Sequence, residues 1–337
     1  MKLGLQLGYW GSDAPADGHV GLAREAEALG FDSVWVAESW GNDVFTPLAW
    51  IGAQTTKIKL GTALAQLSAR APTACAMAAL ALDRLSGGRM ILGLGVSGPQ
   101  VVEGWYGQPF EKPLARTREY VDIIRQVLRR EGPVTNAGPH YPLPYRGLGA
   151  VGVGKPLKAN THPLRPDLPI YLGAEGPKNI VQTTHIADGW LPLYFNPFHP
   201  EIYADQLKDA KPGFEIAPMV MVNMADDLQK ALLPAKMALA FYVGGMGAQE
   251  HNFHKNLMAR MGYEAEANRI QELFMAGKRD EAVMAVPDRF ADEITLSGPK
   301  ARIKDRLQAW RASSATTLLL MGTGGPAMLR AMAEIAL

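Results

Sequence analysis

Gly93-Leu94-Gly95-Val96-Ser97-Gly98 spaces its glycines as G-x-G-x-x-G directly after an apolar run. Such a turn lets a backbone approach a pyrophosphate, provided that its last glycine opens a helix. Here Pro99 follows, with Gly104, Gly107 and Pro109 close behind. The pattern therefore weighs against a dinucleotide-binding helix. It leaves two readings open, contact with a flat ligand or a tight exit from a strand. Gly173-Ala174-Glu175-Gly176-Pro177-Lys178-Asn179 joins an apolar run to a helical pattern. Free N–H groups at such a helix start attract anions, which makes the segment a candidate phosphate cradle. Gly322-Thr323-Gly324-Gly325-Pro326 has a similar ending and competes for that role.

Other reactive groups are sparse. Trp10, Trp40 and Trp105 follow apolar runs and could wall a planar ligand, whereas Trp35 and Trp190 read as core. His251 and His254 stand three apart, but no carboxylate motif frames them, so no metal site is expected. The single cysteine, Cys75, lies among apolar residues and reads as a buried structural thiol. There is no P-loop and no G-x-S-x-G elbow. With no visible nucleophile, the chemistry is expected to reside in a cofactor that the fold orients.

The elements that must position these residues alternate. Strand-like runs fall at Leu3–Gly8, Ser33–Ala37, Ile58–Leu64, Met90–Leu94, Pro169–Gly173, Gly189–Leu193, Glu215–Asn223 and Thr316–Met321. Helical patterns lie between them. One carries Val20, Ala23, Ala26 and Leu29 and stops at Gly30; Thr46 and Pro47 read as the N-cap and first residue of the next. Others run from Pro72 to Ser86-Gly87-Gly88, Pro113–Arg130, Lys178–Ala187, His199–Ala210 and Pro299–Ala312. Parallel neighbours need crossovers, and eight strand–helix units close naturally into an α/β (β/α)8 TIM barrel; an open doubly wound sheet is the alternative. Two stretches, about 99–168 and 224–297, exceed one crossover. They read as insertions at strand C-terminal loops of a single domain, 1–337. Gly244-Gly245 and Pro287 read as breaks within the second.

The charge balance excludes one class of partner. Lys and Arg number 34 against 33 Asp and Glu, a net charge of +1, which argues against a polybasic nucleic-acid protein. No apolar run reaches membrane-spanning length and the N-terminus has no signal-like core, so a cytoplasmic setting is expected.

Taken together, Leu3–Gly11, Leu29–Asp43, Thr46–Leu64, Leu82–Gly107, Leu168–Asn179 and Ile186–Leu193 resemble the bacterial luciferase-like family. More narrowly they resemble its coenzyme F420-dependent oxidoreductases. The resemblance is strongest up to about Leu193 and weakest in 224–297. It implies a dimeric TIM barrel with the cofactor at the strand C-terminal ends, and hydride transfer at the deazaflavin C5. FMN is the alternative cofactor, as in a monooxygenase of the same fold; a non-catalytic flavin-binding barrel is a third reading. The resemblance places a non-prolyl cis peptide at Ala63–Leu64, against the ring. It places Ala37, Glu38 and Ser39 at the ring's polar edge, Val96, Ser97 and Gly98 on the other side, and the phosphate at Gly173, Ala174, Glu175, Gly176, Pro177 and Lys178. Sugar-phosphate dehydrogenases of this family carry a His and a Glu as acid–base groups where this chain has Ser39-Trp40 and Gly98-Pro99. That departure argues against a sugar phosphate. Ser39, Trp40 and Glu103 are the substitutes nearest to hand for catalysis, acting on a small organic substrate.

Overall fold

The computed structural model describes residues 1–9, 16–246, 252–322 and 324–337. Trp10, His251 and Thr323, singled out above, lie outside the described residues. Eleven strands form one sheet: β1 (Lys2–Leu7), β2 (Ser33–Val36), β3 (Lys59–Thr62), β4 (Ala65–Gln66), β5 (Met90–Gly95), β6 (Ile170–Gly173), β7 (Gly189–Leu191), β8 (Glu215–Ile216), β9 (Met219–Met224), β10 (Leu296–Gly298) and β11 (Thr317–Met321). Every ladder is parallel, and the order is β10-β9-β11-β1-β2-β3-β5-β6-β7-β8.

This ladder is a closed barrel. Only Ala217 and Pro218 separate β8, paired to β7, from β9, paired to β11. The break follows from chemistry, because Pro218 has no N–H to give to a ladder. Its carbonyl still accepts from the Leu319 amide at 2.9 Å. In the same way β4 resumes β3 beyond Ala63 and Leu64. Counting β3 with β4 and β8 with β9 leaves eight staves, as the sequence predicts, with β10 paired on β9 outside the ring. The open sheet is excluded.

Period-two alternation sorts the side chains. Leu3, Leu5 and Leu7 face the helices, and Gly4 and Gln6 face the interior. The interior holds Trp35, Ile91, Tyr171, Leu191 and Leu319. Trp35 is anchored by its indole N–H on Ser33 at 2.8 Å and packs 5.8 Å from Tyr171. A side chain at Gly61 would lie 2.2 Å from the Trp35 ring, so that glycine is the space the indole fills. The core reading of Trp35 and Trp190 holds, each being 1% exposed. Cys75 is also buried, and burial pushes its thiol up to about 11, which makes it a poor nucleophile.

Several helices start on proline, including Pro72–Ser86, Pro113–Arg129 and Pro177–Ile186. Helix Pro113–Arg129 packs between the other two and is the crossover from β5 to β6, so only part of 99–168 is additional. The helix predicted to be capped by Thr46 starts at Phe45 instead. The Asp43 carboxylate accepts from Phe45 N at 2.8 Å and Thr46 N at 2.9 Å, because an acidic side chain two residues before the helix start reaches both free amides. Gly244 and Gly245 end the helix Leu228–Gly245, as expected, and their missing side chains admit Phe274. Pro287 does precede a new helix, Asp288–Glu293. The helices between β9 and β10 build their own apolar cluster, which includes Leu239, Leu257, Ile270 and Phe290 and reaches Tyr194 at the barrel mouth.

The strand N-terminal mouth is plugged by charge. Lys2 meets Glu215 at 2.6 Å, Lys59 meets Asp32 at 2.9 Å, and Asp188 takes both Arg125 and Lys211. Among the described residues no helix is long and apolar enough to cross a membrane.

Candidate active site

The opposite mouth collects the residues singled out from the sequence. The Ala63–Leu64 peptide is cis, as the resemblance implies. Leu64 is directed into space left by two glycines. A Cβ on Gly95 or on Gly173 would lie 2.4 Å from its Cδ1. Gly173, expected to bare its backbone to a ligand, is thus covered by Leu64.

Beside this bulge, Glu38 is 6% exposed and both carboxylate oxygens are occupied. Arg70 donates to Oε1 at 2.6 Å and to Oε2 at 3.0 Å, and the Gln66 amide donates to Oε2 at 2.7 Å. Gln66 also returns its side-chain N–H to the Glu38 carbonyl at 3.0 Å. A buried carboxylate with a bidentate guanidinium and a backbone donor is a satisfied clamp. It ties the end of β2 to the chain just beyond the bulge. Arg70 also covers the Phe45 ring, 5.1 Å from its centroid.

The two phosphate-cradle candidates differ in access. Gly176 caps helix Pro177–Ile186 in an extended conformation, and a side chain there would meet nothing within 4 Å. Lys178 is exposed on the first turn. At the competing loop, a side chain on Gly322 would lie 2.5 Å from the Val222 carbonyl, and one on Gly324 would lie 2.7 Å from Met328. The first cradle is open at Gly176, whereas the second is filled at Gly322 and Gly324 and open at Gly325. Glu175 in the open cradle faces Nδ1 of His254 at 3.0 Å, and Arg260 donates to the Glu175 carbonyl at 2.6 Å. Arg260 lies at the kink between helices Phe253–Met258 and Glu264–Met275, where Gly262 takes a φ of 90°. Burial pulls its guanidinium below the usual range against the opposing charge of Glu175.

A cavity of about 260 Å³ opens on the far side of the bulge. Its walls come from β1, β9, β11 and helix Leu228–Gly245, and it touches Ala37 and Ala63. Val96–Gly98 and Gly173–Lys178 do not line it. Ser39 is half-buried at the rim, and Trp40 and Trp105 are 49% and 62% exposed. Ser97 holds a φ of 60° and leads into Gly98, which caps helix Pro99–Gly104. Glu103 is exposed on that helix; its carboxylate accepts from Phe110 N at 3.3 Å and does not reach the cavity.

Arg70, Arg260 and Gln6 were missed, and His254 was weighed only as a metal ligand. Arg70, Arg260 and His254 act through partners 32, 85 and 79 residues away, which local spacing does not reveal. Gln6 was legible, as a polar residue at an inward position of an otherwise apolar strand.

The model of the luciferase-like monooxygenase family matches residues 4–317. The chain belongs to that family. Its relatives include a Mycobacterium tuberculosis protein named as a coenzyme F420-dependent oxidoreductase, 51% identical over 99% of both chains. A 5,10-methylenetetrahydromethanopterin reductase of Methanolobus tindarius is 30% identical over 85% of each. The coenzyme F420-dependent tetrahydromethanopterin reductase of Methanopyrus kandleri shares the luciferase-like barrel, with a TM-score of 0.76 over 99% of this chain and 97% of that one at 22% identity.

Proposed function

We propose that this luciferase-like barrel is an oxidoreductase that uses coenzyme F420 and exchanges a hydride with a small organic substrate. The observation that carries the reading is the 51% identity, end to end, with a relative named for that coenzyme. The residues present fit the group. The open backbone at Gly176, the amides of the first helical turn and the Lys178 ammonium suit a phosphate. Arg260 adds a second cation beside that turn. The bulge at Ala63 and Leu64 and the segment Val96–Gly98 would border the ring, and the Glu38–Arg70 clamp would hold the bulge in place. Bound deazaflavin supplies a hydride donor or acceptor at its C5. The chain supplies position and shelter from water, through the helices that roof the cavity.

Titration of the purified protein with F420 and with FMN, followed by tryptophan fluorescence, tests this. F420 is expected to bind at least tenfold more tightly. Equal or tighter binding of FMN would overturn the reading in favour of a flavin monooxygenase.

A further inference from the structure

The open cradle carries a carboxylate where an anion is expected. Glu175 directly precedes Gly176, whose missing side chain leaves the approach open. Consecutive Cα atoms are about 3.8 Å apart. A charge on the neighbouring side chain therefore acts on a phosphate held at Gly176 within about one Debye length, ~8 Å at physiological salt. Water screens that charge little, because only 18% of the Glu175 side chain is exposed. A group that opposes the expected ligand must do something else for the site.

What faces Glu175 sets the charge of the cradle. Nδ1 of His254, on helix Phe253–Met258, stands 3.0 Å from Oε1, and no hydrogen bond reaches Oε2. Arg260 gives its hydrogen bond to the Glu175 carbonyl and leaves the carboxylate to His254. The rings of Tyr194 and Tyr242 pack edge-on against His254 at 6.0 and 5.0 Å. Their phenols, and that of Tyr203, are pushed up by burial and stay uncharged. Lys178 completes the set from the first turn of helix Pro177–Ile186. With the imidazole neutral, the two cations Lys178 and Arg260 against Glu175 leave a single positive charge. With the imidazole protonated, Glu175 is cancelled and both cations count.

We propose that Glu175, balanced by His254, is a specificity residue of the cradle, fitting it to a singly charged phosphodiester and against a doubly charged terminal phosphate. The inference rests on the cofactor reading above. The phosphate of F420 is a diester with one charge, whereas that of FMN is a terminal monoester that loses its second proton near about pH 6. A diester leaves the cradle neutral. A doubly charged monoester leaves one charge uncompensated and gives up more hydration. Repulsion from Glu175 scales with ligand charge, so it costs the monoester twice what it costs the diester. The amides of the helix start bind either phosphate, so the discrimination lies in the carboxylate.

The test uses riboflavin, FMN and the monomethyl ester of FMN, which carry no, two and one phosphate charges at pH 8, with binding read by flavin fluorescence. One unit of repulsion at this range is worth about fivefold in affinity. The parent is expected to hold the methyl ester about threefold or more above FMN at pH 8. Glu175→Gln should shift that ratio about fivefold towards FMN, with riboflavin binding and the melting temperature unchanged. At pH 5.5 FMN is mostly singly charged, and the shift should fall below about twofold. The methyl ester does not titrate, so its pH dependence reports the protein. Its affinity for the parent should fall about fivefold from pH 5.5 to 8, as the imidazole loses its proton, and stay level in His254→Gln. An unshifted ratio in a folded Glu175→Gln protein, a shift undiminished at pH 5.5, or an equal fall in parent and His254→Gln would overturn the proposal. Tighter binding of FMN than of F420 by the parent, with the Glu175→Gln shift intact, would instead overturn the cofactor reading and leave the role of Glu175 standing.

Discussion

Two glycines in this barrel behave oppositely, and the difference is measurable. A side chain at Gly93 would lie 1.9 Å from the Thr62 carbonyl, a backbone atom that cannot move aside. At Gly176 the same space is open, and the φ of −74° suits any residue. Gly176→Val is therefore expected to keep the melting temperature of the parent and to weaken F420 binding more than tenfold by occupying the approach. Lys178→Ala should weaken it about tenfold, since a charge-assisted contact is worth roughly 1.5–3 kcal/mol. Fluorescence titration at fixed salt, with melting curves on the same samples, checks both. Parent-like binding by both variants would move the cradle elsewhere. Residue identity was legible here only in part. The G-x-G-x-x-G match around Gly93 reads as a binding motif, yet the structure uses Gly93 and Gly95 to admit Thr62 and Leu64. Close packing inside a narrow barrel and close approach of a ligand ask for the same residue.

At the scale of elements, the bulge between β3 and β4 depends on one buried ion pair. Glu38 sits at 2% side-chain exposure and Arg70 at 19%, joined at 2.6 Å. Removing one charge from such a pair strands the other, at a cost of about 3–5 kcal/mol when burial is complete. Glu38→Gln is expected to destabilise the protein by about 3 kcal/mol in urea unfolding and to weaken cofactor binding beyond what stability explains. Little change in either would show that the clamp is incidental. All eight staves were legible, because apolar runs bounded by glycine and proline are local signals. Their ends shifted by a residue or two. The clamp was not legible, since Glu38 and Arg70 are joined only once β2 and β3 lie side by side. β10 was missed as well, being three residues long and outside the ring.

Across the whole molecule, polar groups divide by mouth. At the N-terminal mouth paired charges form a plug, and at the C-terminal mouth the described walls of the cavity carry no formal charge. The paired end predicts an acid response. Burial alone would raise the Asp188 carboxyl, but hydrogen bonds from Lys211, Arg125 and Ile170 N hold it below the usual range. Glu215 is held down likewise against its burial, by Lys2 and Thr316. Carboxyls depressed by folding contribute stability that is full above about pH 4, the ordinary carboxylate pKa, and is lost as pH falls through their folded values. Stability should thus decline below about pH 4, with Asp188→Asn less stable at pH 7 and less steep in its acid decline. Unfolding midpoints from pH 3 to 7 check the sign; a parallel decline in parent and variant would remove Asp188 from the account.

The three thioethers that make the cavity wall adaptable also make it perishable. Met219, Met221 and Met321 are each only partly buried. Oxidation of a thioether to its sulfoxide converts a pliant apolar group into a stiff polar one, and reductases specific for that lesion reverse it. Under mild peroxide the pocket would therefore turn hydrophilic while the cradle at Gly176, built from backbone amides, stays intact. Such a protein would keep its cradle and lose its grip on an apolar ligand of the cavity, and repair of the sulfoxides would restore it.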